Sequence, residues 1–392
     1  MSDVFNCLLE EQAVFNTTQG TKFTCLTRGD SIGLTLAAEA GFISLVAVLG
    51  VFMLIMRNTI QSGSLIRQPT DIYMISLFLF DIIMALGRVT DVKWIHEGKV
   101  YVGGFCTAQG VLQQIGETGS ALATLAIAIY TFVVVLWGPA RHPYFVAYTV
   151  VGLNWLFITL FVAISVPIHT HGSDYYEQLD GFWCWIGNQY TAERYAGEYI
   201  WMWVTMFLSF LAYTPLFFWA RGNLTVSPTH WWKFEIHTDK NAVRDLDPDG
   251  RKRRAIGMIA YPLVFAIITL PTSVVRWVSD FGKKTSHNLT SATFAVEFLF
   301  SLSGAFNVAL FLATRSDLLL PRNMSSKRNK TGMAPAIASS ESDTEVNDLV
   351  SSKSDTRQRE RVSDPMTLGL LPGADDGGWH LPAPEEDSDD LA

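Results

Sequence analysis

Seven long apolar segments, at about residues 33–57, 71–94, 105–137, 143–167, 195–220, 255–279 and 289–313, take up most of the first 315 residues. A helix rising about 1.5 Å per residue needs roughly 20 such residues to cross the hydrocarbon core of a bilayer. Each segment reaches that length, and polar loops of unequal size separate them. A soluble helical core rarely runs this long and this apolar so many times in succession, so the chain is read as an all-α membrane protein, a seven-transmembrane helix bundle. Six or eight crossings is the rival count, because the second and third segments carry several polar residues.

Composition agrees, with 49 % of residues hydrophobic and 17 % charged. The formal charge of -8 is concentrated at one end. From residue 331 onward 14 acidic residues face 4 basic ones, which leaves the first 330 residues near +2. The organisation expected is therefore an extracellular amino-terminal segment over 1–32, the seven-helix domain over 33–315 and a disordered cytoplasmic tail over 316–392. Ser339, Ser340, Ser342 and Thr344 in that tail, set among acidic residues, are phosphorylation candidates.

Orientation follows from the basic residues. With the amino terminus outside, 16 Lys and Arg fall on the cytoplasmic side and 7 on the other, the positive-inside bias. Residues 1–30 lack a basic start followed by an apolar core, so no cleaved signal is expected. Asn16, in Asn16-Thr17-Thr18, is a glycosylation candidate on the outer side. A second sequon at Asn288 lies very near the membrane. Of the four cysteines, Cys106 at the start of the third span and Cys184 in the 168–194 loop share the outer side, which favours a disulfide between them. Cys7 and Cys25 are a weaker second pair.

Polar residues inside the spans are regularly placed. Gln109, Gln113 and Glu117 recur every four residues, and Ser120 and Thr124 extend the stripe along one face of the third span. Asp81 and Arg88 lie seven apart on the second span, while Glu39, Arg276, Glu297 and Asn307 put polar groups into others. Ionisable groups at membrane depth are costly and usually face protein or water, so these are binding candidates. The plain alternative is that they hydrogen-bond helices together. Pro215 in the fifth span and Pro262 and Pro271 in the sixth each remove a helix hydrogen bond. The 221–254 loop ends in Arg251-Lys252-Arg253-Arg254 directly before the sixth span. That cluster suits an acidic protein surface or anionic lipid, or it simply enforces topology.

No enzyme signature is found: there is no phosphate-binding Gly-x-x-x-x-Gly-Lys loop, nucleophile elbow or His-Glu-x-x-His site. The paired loop histidines His169 and His171 are too few for a metal site, and neither metal nor cofactor is expected. The seventh span has no lysine, which disfavours a retinal Schiff base. The basic clusters follow membrane boundaries, so nucleic acid is not an expected partner.

Cys106, the string Gly181-Phe182-Trp183-Cys184-Trp185-Ile186, and Tyr261-Pro262-Leu263-Val264-Phe265 followed by Leu270-Pro271 and Arg276 resemble the cyclic-AMP-receptor-like G-protein-coupled receptors of fungi and slime moulds, which are distantly similar to secretin-type receptors. The resemblance spans about residues 30–320. It implies a receptor for an extracellular small molecule or nutrient that activates a heterotrimeric G protein, with Cys106–Cys184 as the shared disulfide and Arg251, Lys252, Arg253 and Arg254 as the coupling surface. The third span ends Ala128-Ile129-Tyr130-Thr131-Phe132, without Asp-Arg-Tyr, and the seventh carries Asn307-Val308-Ala309-Leu310-Phe311 in place of Asn-Pro-x-x-Tyr. These departures favour the distant group over the rhodopsin-like receptors. The rival functions are a small-solute transporter or channel, favoured by the polar stripe, and an adhesion or scaffold protein. Membrane lipid is an expected partner, and pairing with a second copy stays open.

Overall fold

A computed structural model describes residues 23–63, 65–66, 68–138, 140–170, 175–221, 224–226, 234–236, 251–281 and 287–314. By contacts the chain divides into Met1–Gly332, which holds all of these residues, and Met333–Ala392, which lies outside them. The expected tail, its serines, Asn16 and Cys7 thus fall outside the described residues.

The helices are α1 (Arg28–Ser62), α2 (Pro69–Val89), α3 (Asp91–Glu97), α4 (Gly104–Trp137), α5 (Pro143–His169), α6 (Thr191–Arg194), α7 (Ile200–Arg221), α8 (Arg251–Phe281), α9 (His287–Ser301) and α10 (Ser303–Thr314). A π-helical turn, Tyr195–Tyr199, joins α6 to α7. Short antiparallel strand pairs join β1 (Phe23–Cys25) with β2 (Lys99–Tyr101) across the first two spans, β3 (Glu177–Asp180) with β4 (Trp183–Ile186) as a hairpin, and β5 (Leu224–Val226) with β6 (Phe234–Ile236). The architecture is an all-α bundle of seven membrane spans, with α2–α3, α6–α7 and α9–α10 each forming one crossing. Among the described residues six helical segments are long and apolar enough to cross a membrane, and α8 contributes the apolar stretch Leu263–Val278.

The spans start and stop for local reasons. At α1 the Thr27 hydroxyl accepts from the Asp30 N–H at 3.2 Å while Asp30 accepts from the Thr27 N–H at 2.9 Å, a reciprocal cap that starts the helix at Arg28, ahead of the expected residue 33. Gly63 closes it in the left-handed conformation at φ 70°. α2 opens on Pro69, whose missing N–H costs nothing in a first turn.

Polarity runs inside out relative to a soluble protein. Leu153, Leu156, Leu160 and Ile164 are exposed along α5, whereas Asp81, Arg88, Gln109, Gln113, Glu117 and Glu297 are buried. Lipid takes the apolar outer faces, so burial inside the bundle is left to small and polar residues. α2 and α4 make the closest pair. A Cβ at Gly116 would collide with Met84, and one at Gly119 with the Phe80 ring.

The seventh span is broken at Leu302 although no proline lies there. The Ser44 hydroxyl of α1 explains the break. It donates to the Ser301 carbonyl at 2.6 Å and accepts from the Ala305 N–H at 3.2 Å, standing between the two groups that would otherwise bond to each other. Pro215 lies inside α7, and Pro167, not singled out from sequence, lies inside α5.

Candidate functional site

The polar stripe of α4 faces inward over its whole length, with Gln109, Gln113, Glu117, Ser120 and Thr124 all buried. It organises three layers of contacts along the bundle axis.

The first layer lies at the end of the bundle that carries the disulfide and the β3–β4 hairpin. Cys106 and Cys184 are joined, tying the start of α4 to β4 across 78 residues. Cys25 is also disulfide-bonded. Gln109 sits one turn beyond Cys106 and uses both ends of its amide. Its Nε2 donates to Asp91 at 2.6 Å, and its Oε1 accepts from Trp94 at 2.8 Å and from the Cys184 N–H at 3.2 Å. One side chain thus fastens α3, α4 and the hairpin together. Gln113 packs against Gly87, and among the described residues its amide has no hydrogen-bond partner.

Beneath lies an ionic cluster drawn from five elements. Arg88 of α2 pairs through Nη2 with Glu117 of α4 at 3.3 Å and with Glu297 of α9. Arg276 of α8 pairs with Glu198 of the π-turn at 2.6 Å, with Glu117 at 3.3 Å and with Glu297 at 3.4 Å. Glu117 and Glu297 are each shared by both arginines, while Glu198 ion-pairs with Arg276 and is hydrogen-bonded to the Glu117 carboxyl. The hairpin covers the cluster, with the Trp183 ring 5.2 Å from the Arg88 guanidinium and the Trp185 ring 5.5 Å from that of Arg276. Side-chain exposure is 0–1 % for Arg88 and the three carboxylates and 15 % for Arg276.

The third layer is a neutral-donor set around Asp81. Ser120 donates to Asp81 at 3.1 Å and Asn307 of α10 donates at 2.9 Å. The break at Leu302 precedes Asn307 by little more than a turn, and Gly304 lets α10 approach the Asp81 and Ser44 side chains. A narrow void lined by Asp81, Glu117, Ser120, Met202 and Asn307 lies between this layer and the ionic one.

Of the candidates named from sequence, Arg88, Glu117, Arg276 and Glu297 meet in one cluster, Asp81 and Asn307 meet in another, and Gln109 belongs to the first layer. Glu39 is exposed on α1 and joins none of them, a correction to its reading as an interior group. Helix faces differ by 100° per residue, and Glu39 falls on the face turned away from the neighbouring spans. Arg251, Lys252, Arg253 and Arg254 form the first turn of α8, with side chains outside the described set. Glu198 and Asp91 were missed. Both are ionisable residues in or beside an apolar segment, the signal that singled out Glu297.

One buried acid lies outside the spans. Glu177 of β3 is packed against Gly110 of α4, its carboxylate has no hydrogen-bond partner among the described residues, and burial pushes its pKa up to about 8 despite the nearby Arg194.

The family model for 7 transmembrane receptors (rhodopsin family) matches residues 47–307. No curated protein matches the chain. The absence of Asp-Arg-Tyr and Asn-Pro-x-x-Tyr therefore does not set the chain outside the rhodopsin family. Those signatures are local, whereas the match extends from the first span to the last.

Proposed function

The chain belongs to the seven-transmembrane receptors of the rhodopsin family, and from that membership we propose that it senses an extracellular small molecule or nutrient and activates a heterotrimeric G protein. In this reading the protein lies in the plasma membrane with its amino terminus outside and its carboxyl terminus in the cytoplasm, as the basic residues favour. It makes and breaks no bond. The Trp-rich hairpin string and the α8 motif support a finer likeness to the cyclic-AMP-receptor-like group, without naming cyclic AMP as the stimulus.

The observation that carries the proposal is the placement of Arg276. It ties α8 to α4, to α9 and to the π-turn through three buried carboxylates. The same helix begins with Arg251 to Arg254, roughly 33 Å away at about 1.5 Å per residue. A stimulus that loosens the ties at one end favours a displaced α8, and a G protein that engages the other end favours the same arrangement. Both then shift one equilibrium, and each strengthens the other's binding.

The transporter or channel reading draws on the continuous polar face from Gln109 to Thr124. Its difficulty is the pair of arginines, each locked to carboxylates across the middle of that path. The experiment is nucleotide exchange on a panel of heterotrimers with the protein in nanodiscs, under a ligand screen, beside solute flux in liposomes. Ligand-dependent exchange is expected. Solute flux without exchange by any heterotrimer would overturn the proposal.

A further inference from the structure

Glu39 stands where a membrane-spanning helix has least reason to carry a carboxyl. Among the described residues it is the ionisable side chain exposed in the interior of a span, and no described residue pairs with it. It lies about 14 Å along α1 from Asp30 and about 27 Å from Arg57, at about 1.5 Å per residue, which puts it inside a hydrocarbon core about 30 Å thick. Gly41, half a turn further on, packs against the Arg88 side chain, so Glu39 is level with the ionic cluster and turned the opposite way. An ionisable group at that depth is costly against lipid and is kept where a polar partner meets it.

The surroundings of Glu39 have the form of a helix–helix contact. Leu36, Glu39, Ile43, Val46, Gly50 and Met53 follow one another at alternating spacings of three and four residues, the seam of two helices crossing at about 20°. Leu36, Ile43, Val46 and Met53 are exposed, and a Cβ at Gly50 would meet nothing within 4 Å, so the seam is uncovered and dips where another backbone can approach.

We infer that this seam of α1 is the contact face of a homodimer, in which Glu39 hydrogen-bonds to the partner's Glu39. Topology identifies the occupant. Every copy inserts in the same orientation, so a two-fold axis along the membrane normal sets two α1 helices parallel, with both Glu39 side chains at one depth. A carboxylic acid holds an O–H donor and a carbonyl acceptor, so two of them exchange hydrogen bonds without a third group. A different membrane protein would have to supply a polar group at that depth, whereas a second copy always does. Arg57 continues the seam at the cytoplasmic boundary, where lipid phosphates separate the like charges. The dimer rests on the orientation that all copies share and not on the receptor reading.

The test places full-length chains carrying donor or acceptor fluorophores in liposomes and follows energy transfer as the lipid-to-protein ratio rises. Wild type should show the concentration dependence of a monomer–dimer equilibrium. Glu39→Gln, whose amide keeps a donor and an acceptor, should dimerise within about threefold of wild type, while Glu39→Leu and Gly50→Leu should each weaken dimerisation roughly tenfold. Both leucines face lipid in the monomer, so thermal unfolding in dilute lipid should match wild type and separates lost pairing from misfolding. Val46→Cys, on the seam, should oxidise to a disulfide-linked dimer, and Leu153→Cys, equally exposed but on α5, should not. Wild type that stays monomeric at every ratio would give the face to lipid or to a different protein and overturn the inference. Glu39→Leu pairing as tightly as wild type, or Leu153→Cys cross-linking as readily as Val46→Cys, would overturn it too.

Discussion

Replacing Arg88 with methionine tests the energetics of the buried cluster most severely. Arg88 is 1 % exposed and its Nη2 serves two carboxylates at once. The cluster holds two guanidiniums against three carboxyls, and the substitution leaves Arg276 alone against Glu117, Glu198 and Glu297. Removing one partner of a buried ion pair costs about 3–5 kcal/mol, most of it the penalty of the charge left behind. Arg88→Met should therefore destabilise the folded bundle by that amount. Adding Glu297→Gln removes the stranded charge, so the double variant should recover about 1–3 kcal/mol relative to additivity. A double-mutant cycle by thermal unfolding in nanodiscs, using both single variants and the pair, measures this directly. Stability of Arg88→Met within about 1 kcal/mol of wild type, or strict additivity in the cycle, would refute the reasoning.

Other expectations follow from separate contacts. Gly119→Val places a branched side chain against Phe80 and should cost at least about 1–3 kcal/mol by forcing α2 and α4 apart, with a matching loss of thermostability on size-exclusion analysis. Ser44→Ala removes the hydroxyl from the break in the seventh span and should cost about 1–2 kcal/mol. Unchanged amide exchange at Ala305 would contradict the role given to Ser44. The raised pKa of Glu177 means that the native state holds a proton which the unfolded state releases above its ordinary carboxylate pKa. The stabilising contribution is fully present below about 4.5 and declines until pH passes about 8. Exchange protection of β3 and β4 should accordingly fall across that window in wild type and stay flat in Glu177→Gln.

The spans were legible because membrane insertion demands uninterrupted apolar length, a one-dimensional property. The stripe Gln109, Gln113, Glu117 was legible because helical periodicity places it on one face, and lipid forbids that face from turning outward. Pairing was not legible. Arg88, Glu117 and Glu297 come from three spans, and no spacing in sequence says that their rotations bring them to one point. Glu198 required the π-turn, whose wider winding at Tyr195–Tyr199 carries that carboxylate to the interior. The break at Leu302 depended on a hydroxyl more than 250 residues away, so its cause was invisible locally. Glu39 shows the converse, since an ionisable residue in an apolar segment suggests an interior group although its face of α1 looks outward.

The central claim is that Arg276 restrains α8 in a state from which a G protein is not engaged. The most direct measurement is the basal rate of GDP release from heterotrimers of each Gα class in the presence of nanodisc-embedded wild type and the Arg276→Gln variant, without added ligand. Faster release with the variant, from at least one class, is the predicted result. Equal rates across all classes for a variant that remains folded, accompanied by solute leakage from liposomes, would contradict it.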